Sequence, residues 1–511
     1  MRPLAGLRFE HSYAKLHPDF YQSVEPTPLP DPRLVAFNSD GAGLIDLDPA
    51  EAGHPDAARY LSGSLPLPGA APIAQAYAGH QFGVWVPQLG DGRAFLLGEA
   101  RNSRGELWDL HLKGGGRTRW SRFGDGRSVL RSAVREYLAC EALHALDIPT
   151  TRALSIVASD LPVQRESPET AATIIRLAPS HVRFGTFEYF AARGAVDRVR
   201  ELAEYVMERH YGEPPLLLRC AQDGGFAQGD SFTQGDDRRY RAFFGEVCRR
   251  TARLIARWMA AGFAHGVMNT DNMSILGITL DYGPYGFLDD YDAGFICNHT
   301  DSGGQYAFDR QPSVGIWNCA RLGEALMILE GESGDPTGWQ EELESYWPAF
   351  VAEYAGRMRS KLGLVTARDE DAELLRDLLA LLQAGRVDYA RFFRALNGVD
   401  GQRSTVNGSL LEMFGDRAGF DAWLERYRTR LGAEGSDDAE RSERMRRANP
   451  KYVLRNWVAQ EAIAAAQAGE FGLIETLRRL LAAPYDEHPE WERYAAAPSP
   501  AHRAIEVSCS S

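Results

Sequence analysis

The sequence predicts an α+β fold in two lobes, and three observations carry that reading. A strand-like pattern, interrupted by glycine, runs from about residue 83 to about residue 180. One stretch of helical periodicity lies inside it, and beyond about residue 186 the helical period takes over. Strands collected ahead of helices, rather than alternating with them, give an α+β architecture.

The elements follow in chain order. Residues 25–32 (EPTPLPDP) form a proline-spaced extended lead-in. Segments 94–100 (AFLLGEA) and 107–113 (LWDLHLK) read as a hairpin across the polar turn NSRG. In its second strand Trp108, Leu110 and Leu112 share one face, while Asp109, His111 and Lys113 share the other. A loop rich in glycine and arginine, 114–127, precedes a helix over 128–146 with Ser128 as its expected N-cap. Strands are expected at 154–158 and 173–177. Phe243, Phe244, Val247, Leu254, Ile255 and Trp258 mark a long helix ending at Gly262. After a loop over 265–272, the apolar run 275–280 reads as a short strand that stops at Asp281. Helices are clearest at 374–382, 389–396 and 452–466, and the charged stretch 432–448 reads as a mobile loop or linker. The expected domains are an N-terminal extension (1–80) packing on a strand-rich lobe (81–185), a helical lobe (186–430), and a helical extension with a mobile tail (431–511).

Composition narrows the function. Of 511 residues 44% are hydrophobic and 25% charged, ordinary values for a folded globular chain. Lys+Arg 56 against Asp+Glu 70 gives a net charge of −14, which argues against nucleic-acid and anionic-membrane partners. No apolar run reaches the ~18 residues of a membrane span, and the first residues carry no secretory apolar segment. The six cysteines form no CxxC pair, so a zinc ribbon is absent and a reducing compartment fits. A cytoplasmic, monomeric protein is expected.

Three constellations carry chemistry. Gly90-Asp-Gly92-Arg93 precedes a strand, where glycines let backbone N–H groups approach phosphates, although a plain tight turn is the commoner meaning of such a pair. Lys113 ends a strand and Glu136 lies on the first helix, the pairing that positions phosphates in protein kinases; a solvated lysine and glutamate is the bland alternative. From Lys113 to Arg135 seven basic residues face one acid, Asp125, which suggests an anion site rather than a disordered RNA-binding segment. Finally, His265 and Asn272 are followed by Asp281-Tyr-Gly283 with the spacing of the kinase catalytic loop and metal-binding Asp. The catalytic Asp position falls on Val267, which accepts no proton, while Asp271 adds a carboxylate beside Asn272. Asn and Asp oxygens suit Mg²⁺ or Mn²⁺.

The chain closely resembles the selenoprotein O (YdiU) family of protein adenylyltransferases on a pseudokinase fold. The resemblance spans nearly the whole chain and rests on AYAGHQFGVWVPQLGDGRAFLLGE, LHLKGGGRTRWSRFGDGRSVLRSAVREYL, HGVMNTDNMSILGITLDYGPYGF and NPKYVLRNWVAQEAI. It implies a protein-kinase-like two-lobed fold holding ATP inverted, with AMP passed to Ser, Thr or Tyr hydroxyls of proteins, and UMP transfer from UTP attributed to members. It implies nucleotide contacts at Gly90, Gly92, Arg93, Lys113, Asp125, Gly126, Arg176, Arg183 and Asp281, with Glu136 supporting Lys113. Asp271 resembles the proton acceptor, and Asn272 with Asp281 the Mg²⁺ or Mn²⁺ ligands. Cys509 occupies the place of the selenocysteine of relatives, and with Cys297, sixteen residues past Asp281, it forms a candidate redox pair. An active kinase and a catalytically dead nucleotide-binding scaffold are the alternatives.

Overall fold

The computed structural model describes residues 1–212, 238–333, 336–399, 408–503, 505 and 507; Cys220 and Cys509 lie outside them. It is a mixed α/β molecule with a large antiparallel sheet and many helices. The strands are β1 (Phe9–Glu10), β2 (Tyr21–Ser23), β3 (Arg33–Phe37), β4 (Ile73–Gln75), β5 (Gly79–Gln81), β6 (Val84–Val86), β7 (Ala94–Arg101), β8 (Leu107–Lys113), β9 (Ser128–Val129), β10 (Arg152–Gln164), β11 (Pro168–Ala178), β12 (Phe263–Ala264) and β13 (Gly286–Phe287). The main sheet runs β2-β4-β7-β8-β11-β10-β3, with β1 on β7 and β9 on β11. The expected hairpin is β7–β8, with Ala94 opposite Lys113.

The alternation in β8 separates two environments. Trp108, Leu110 and Leu112 join a core with Leu4, Ile45 and Leu61, so the first 80 residues close one face of the sheet and add four strands to it. Burying these apolar side chains contributes roughly 1.5–3 kcal/mol each. The other face receives the helix Leu130–Ala145, whose Val134, Tyr137, Leu138 and Leu143 are buried in the largest core. That helix is covered on its far side by the C-terminal helices Asn456–Gln467 and Gly472–Ala482. Arg478 of the latter reaches Asp40 at 3.0 Å, joining the two ends of the chain. A further core, with Leu378, Phe393, Phe420 and Tyr427, lies mostly among the helices beyond residue 346 and takes in Ala264, Leu288 and Cys297 from the segment after the long helix Arg238–Ala261.

Four expectations change. Ser128 caps nothing: it pairs with Ala172 in β9, and the helix starts at Leu130 without a side-chain cap. Residues 275–280 are not a strand, because Gly277 at φ +67° turns the chain and the neighbouring groups bond to separate segments, Ile275 N–H to Val182 and Thr279 N–H to Pro149. The charged stretch at 432–448 holds a helix, Asp438–Ala448. Asp438 and Glu440 fall in its first turn, Arg446 and Arg447 in its last, and Asp437 caps it by accepting from the N–H groups of Ala439 and Glu440, while Arg441 and Met445 are buried. Tyr452, Val453 and Leu454 precede rather than join the helix that begins at Asn456.

Candidate active site

A cleft of about 740 Å³ opens between the strand-rich segments and the loops after the long helix Arg238–Ala261. One wall is the turn entering β7. Gly90 has φ +83°, and a Cβ there would lie 2.4 Å from Cγ of Trp120, so only glycine fits. The turn is pinned from behind by buried Asp91, whose Oδ2 accepts from the Gln75 N–H at 3.0 Å.

The floor is a knot of buried charge. Lys113 Nζ donates to Glu136 Oε2 at 2.7 Å, joining the end of β8 to the Leu130–Ala145 helix. Arg176, on β11, contacts Glu136 at 3.3 Å and donates to Asp281 Oδ1 at 2.6 Å. Arg183 donates to the other Asp281 oxygen and, at 2.7 Å, to the Asp271 carbonyl. Lys113 Nζ lies 3.8 Å from Asp281. Burial alone would raise the Asp281 carboxyl, but Arg183, Arg176 and Lys113 outweigh it and hold that carboxyl well below the usual range. Burial lowers Lys113, with Glu136 opposing. Asp281 sits at φ +58°, a conformation costly for a non-glycine residue and held here by its ion pairs.

Asp271 lies on a short turn, Thr270–Asn272, beneath the β5–β6 hairpin. Gln81 donates to Asp271 Oδ2 at 3.1 Å, His80 N–H to Thr270 Oγ1 at 2.7 Å, and Phe82 N–H to Asn269 Oδ1 at 3.2 Å. Burial pushes the Asp271 carboxyl up to about 7, against the Gln81 hydrogen bond and Arg183. Gly185 closes the layer: its carbonyl accepts from Ala78 N–H, and a Cβ on it would meet the Ala78 carbonyl oxygen at 2.0 Å. Gly185→Ala is therefore expected to cost about 1–3 kcal/mol in urea unfolding and to slow turnover by displacing the hairpin from Asp271.

The donor set fits a hard divalent cation carried with phosphates. Asn272 Nδ2 is engaged with the Val267 carbonyl at 3.0 Å, so Oδ1 would be the atom offered to a cation, and Asp281 would offer an anionic oxygen. Among the described residues no group of three or more His, Cys, Asp or Glu could hold a metal, so the remaining ligands would be phosphate and water oxygens.

Every candidate nucleotide or metal residue lines this cleft: Gly90, Gly92, Arg93, Lys113, Asp125, Gly126, Arg176, Arg183, Asp271, Asn272 and Asp281. Glu136 stands behind Lys113. The basic cluster divides, however. Arg127 donates to the Thr27, Pro28 and Gly114 carbonyls, Arg131 pairs with Glu169, and Arg135 donates to the Tyr285 carbonyl, so these three serve packing. Asp125 is bidentate with Arg165 at 2.8 and 3.0 Å. Cys297 is buried, with Sγ 3.5 Å from the Ala264 carbonyl. Of the tail, Val507 accepts from the His299 N–H at 3.1 Å. Gln81 was missed at the sequence level; its one signal was the Phe82-Gly83 turn, which makes GHQFGVWV a hairpin.

Buried cations converging on a carboxylate, below a glycine-walled turn, define a protein equipped to hold a polyanionic ligand. The chain belongs to the protein adenylyltransferase SelO family, whose model matches residues 3–482. It is 54% identical over 511 residues to the protein nucleotidyltransferase YdiU of Myxococcus xanthus, with both chains covered completely. It is 50% identical over 513 residues to the protein of the same name from Thiobacillus denitrificans, again across the whole of both. No helix among the described residues is long and apolar enough to cross a membrane.

Proposed function

We propose that this chain transfers AMP from ATP to hydroxyl groups of proteins and releases diphosphate. The observation that carries the reading is the convergence of Lys113, Arg176 and Arg183 on Asp281, in a cleft where Val267 stands at the kinase-base position and Asp271 is the nearby carboxylate. Lys113, Arg176 and Arg183 bind the triphosphate and stabilise charge that grows on the α-phosphoryl and the leaving diphosphate. Asp271 takes the acceptor's proton as the hydroxyl oxygen bonds to the α-phosphorus and the α–β bridging P–O bond breaks. Glu136 keeps Lys113 in place, and Gly90, Gly92, Arg93, Asp125 and Gly126 form the remaining nucleotide wall. Mg²⁺ or Mn²⁺, held by Asn272 and Asp281, would supply counter-charge to the phosphates.

Two lobes, 81–185 and 186–430, arranged as in a protein kinase, would flank this cleft, with 1–80 and 431–511 as extensions. Ser, Thr and Tyr are the acceptors, UTP is a second donor, and the protein works as a cytoplasmic monomer. Cys297 and Cys509 form its redox pair; the closeness of Val507 to His299 supports that pairing.

ATP labelled at the α- or γ-position tests the core of this reading. Label retained on protein from the α-position alone is the expected result; retention from γ alone means a kinase, and from neither a scaffold. Val267→Asp should not produce γ-phosphoryl transfer, since with ATP inverted a restored acid faces the wrong phosphoryl group. Robust γ-transfer by that variant overturns the inverted nucleotide.

A further inference from the structure

His111 belongs to none of the roles above, yet it lies at the centre of the charge network behind the cleft. It is fully buried on β8, two residues before Lys113, on the same face of the strand. Its Nδ1 is 2.6 Å from Arg176 Nη2. A guanidinium has only hydrogens to give, so Nδ1 must accept. The ring proton then sits on Nε2, which faces Asp91 Oδ2 at 3.3 Å. Asp91 is the middle residue of the Gly90–Gly92 turn, and the same oxygen accepts from the Gln75 N–H. One relay thus joins the glycine turn, through an imidazole in a defined tautomer, to an arginine on the cleft floor.

We propose that His111 is a positioning residue of the nucleotide site, which aims Arg176 by accepting its N–H on Nδ1 and is itself oriented by Asp91 through Nε2–H. The inference rests on the reading of Arg176 as a phosphate contact. Arg176 has three partners, Glu136, Asp281 and His111, and only His111 is neutral. Two carboxylates alone would draw the guanidinium toward themselves; the imidazole holds its second nitrogen without adding negative charge where phosphates bind. The surroundings keep the ring neutral. Burial comes first, then the stacked His181 ring at 4.3 Å, Arg176 and Arg183, all of which lower its proton affinity well below the ordinary histidine range, while Asp281 opposes them weakly. His181 is occupied separately by Asp109 at 3.1 Å.

The test measures ATP affinity of the full-length protein with Mg²⁺ for H111L, H111Q, R176K and the double variant H111L/R176K. H111L should bind ATP about tenfold more weakly or worse, since the guanidinium loses a charge-assisted hydrogen bond. H111Q, which presents one acceptor and one donor with similar spacing, should recover most of that loss. In the R176K background H111L should add less than about a twofold effect, the coupling expected of residues acting through one another. Wild-type affinity in H111L, or an equal loss in both backgrounds, overturns the role of His111 alone. Wild-type affinity in R176K overturns the phosphate-contact reading as well. A histidine-selective ¹H–¹⁵N spectrum of the wild type needs no substitution: His111 should be neutral and protonated on Nε2 at pH 7, and a doubly protonated or Nδ1–H ring there overturns the proposal.

Discussion

Asp281→Ala is expected to lower AMP transfer by about 10³-fold or more. The same side chain gathers Arg176 and Arg183 by hydrogen bonds and has Lys113 at 3.8 Å. Removing it takes away the anionic group proposed to hold the metal, leaves Arg183 without a carboxylate partner, and leaves Lys113 and Arg176 with Glu136 alone. The second loss should also appear in the fold, because breaking a buried ion pair costs about 3–5 kcal/mol. Asp281→Asn keeps the volume but not the charge, and its NH2 would face a guanidinium donor, so it should be inactive and share most of the loss of stability. Transfer is read as α-label on protein, stability as the urea midpoint. Near wild-type transfer by Asp281→Ala would remove the metal and nucleotide assignment together.

Asp271→Asn should lower turnover by about 10²–10⁴-fold with little change in ATP affinity, the pattern of a lost proton acceptor. The pH dependence has a definite sign. Burial holds the Asp271 carboxyl at about 7, so below that pH it is protonated and takes no proton, and above it the carboxylate is available. The wild-type rate should therefore climb with rising pH and level off above about 7, or somewhat lower when a cation sits on Asn272 beside it. Asp271→Asn should lack that limb. If the limb persists unchanged in the variant, another group takes the proton.

The sequence was most informative where a pattern had one structural meaning. Alternation in LWDLHLK separated Trp108, Leu110 and Leu112 from Asp109, His111 and Lys113, and the two faces meet different surroundings as expected. Lys113, Glu136, Asn272 and Asp281 were legible because strand, helix and loop appear in an order whose spacing constrains where they meet. Residues whose roles depend on distant partners were illegible. Nothing near Arg127 in the chain shows that it serves the carbonyls of Thr27 and Pro28, and nothing near Gln81 points to Asp271. The charged stretch at 432–448 failed in part for the same reason. Its composition matches a solvated linker and outweighed the local helix signals, the Asp437 cap and the charges at its ends, while the burial of Arg441 and Met445 against distant helices was not visible in it.

The double-sided burial of the Leu130–Ala145 helix has a consequence for control. In protein kinases the helix that carries the glutamate of the Lys–Glu pair is displaced to break that pair, and the displacement switches the enzyme off. Here the sheet lies on one side of it and two C-terminal helices on the other, while Arg135 reaches across to the Tyr285 carbonyl at 2.7 Å. Swinging it outward would require peeling away residues 456–482 and parting Arg478 from Asp40. The helix is a strut rather than a lever. The Lys113–Glu136 pair is thus built into the packed fold rather than assembled by a moving helix.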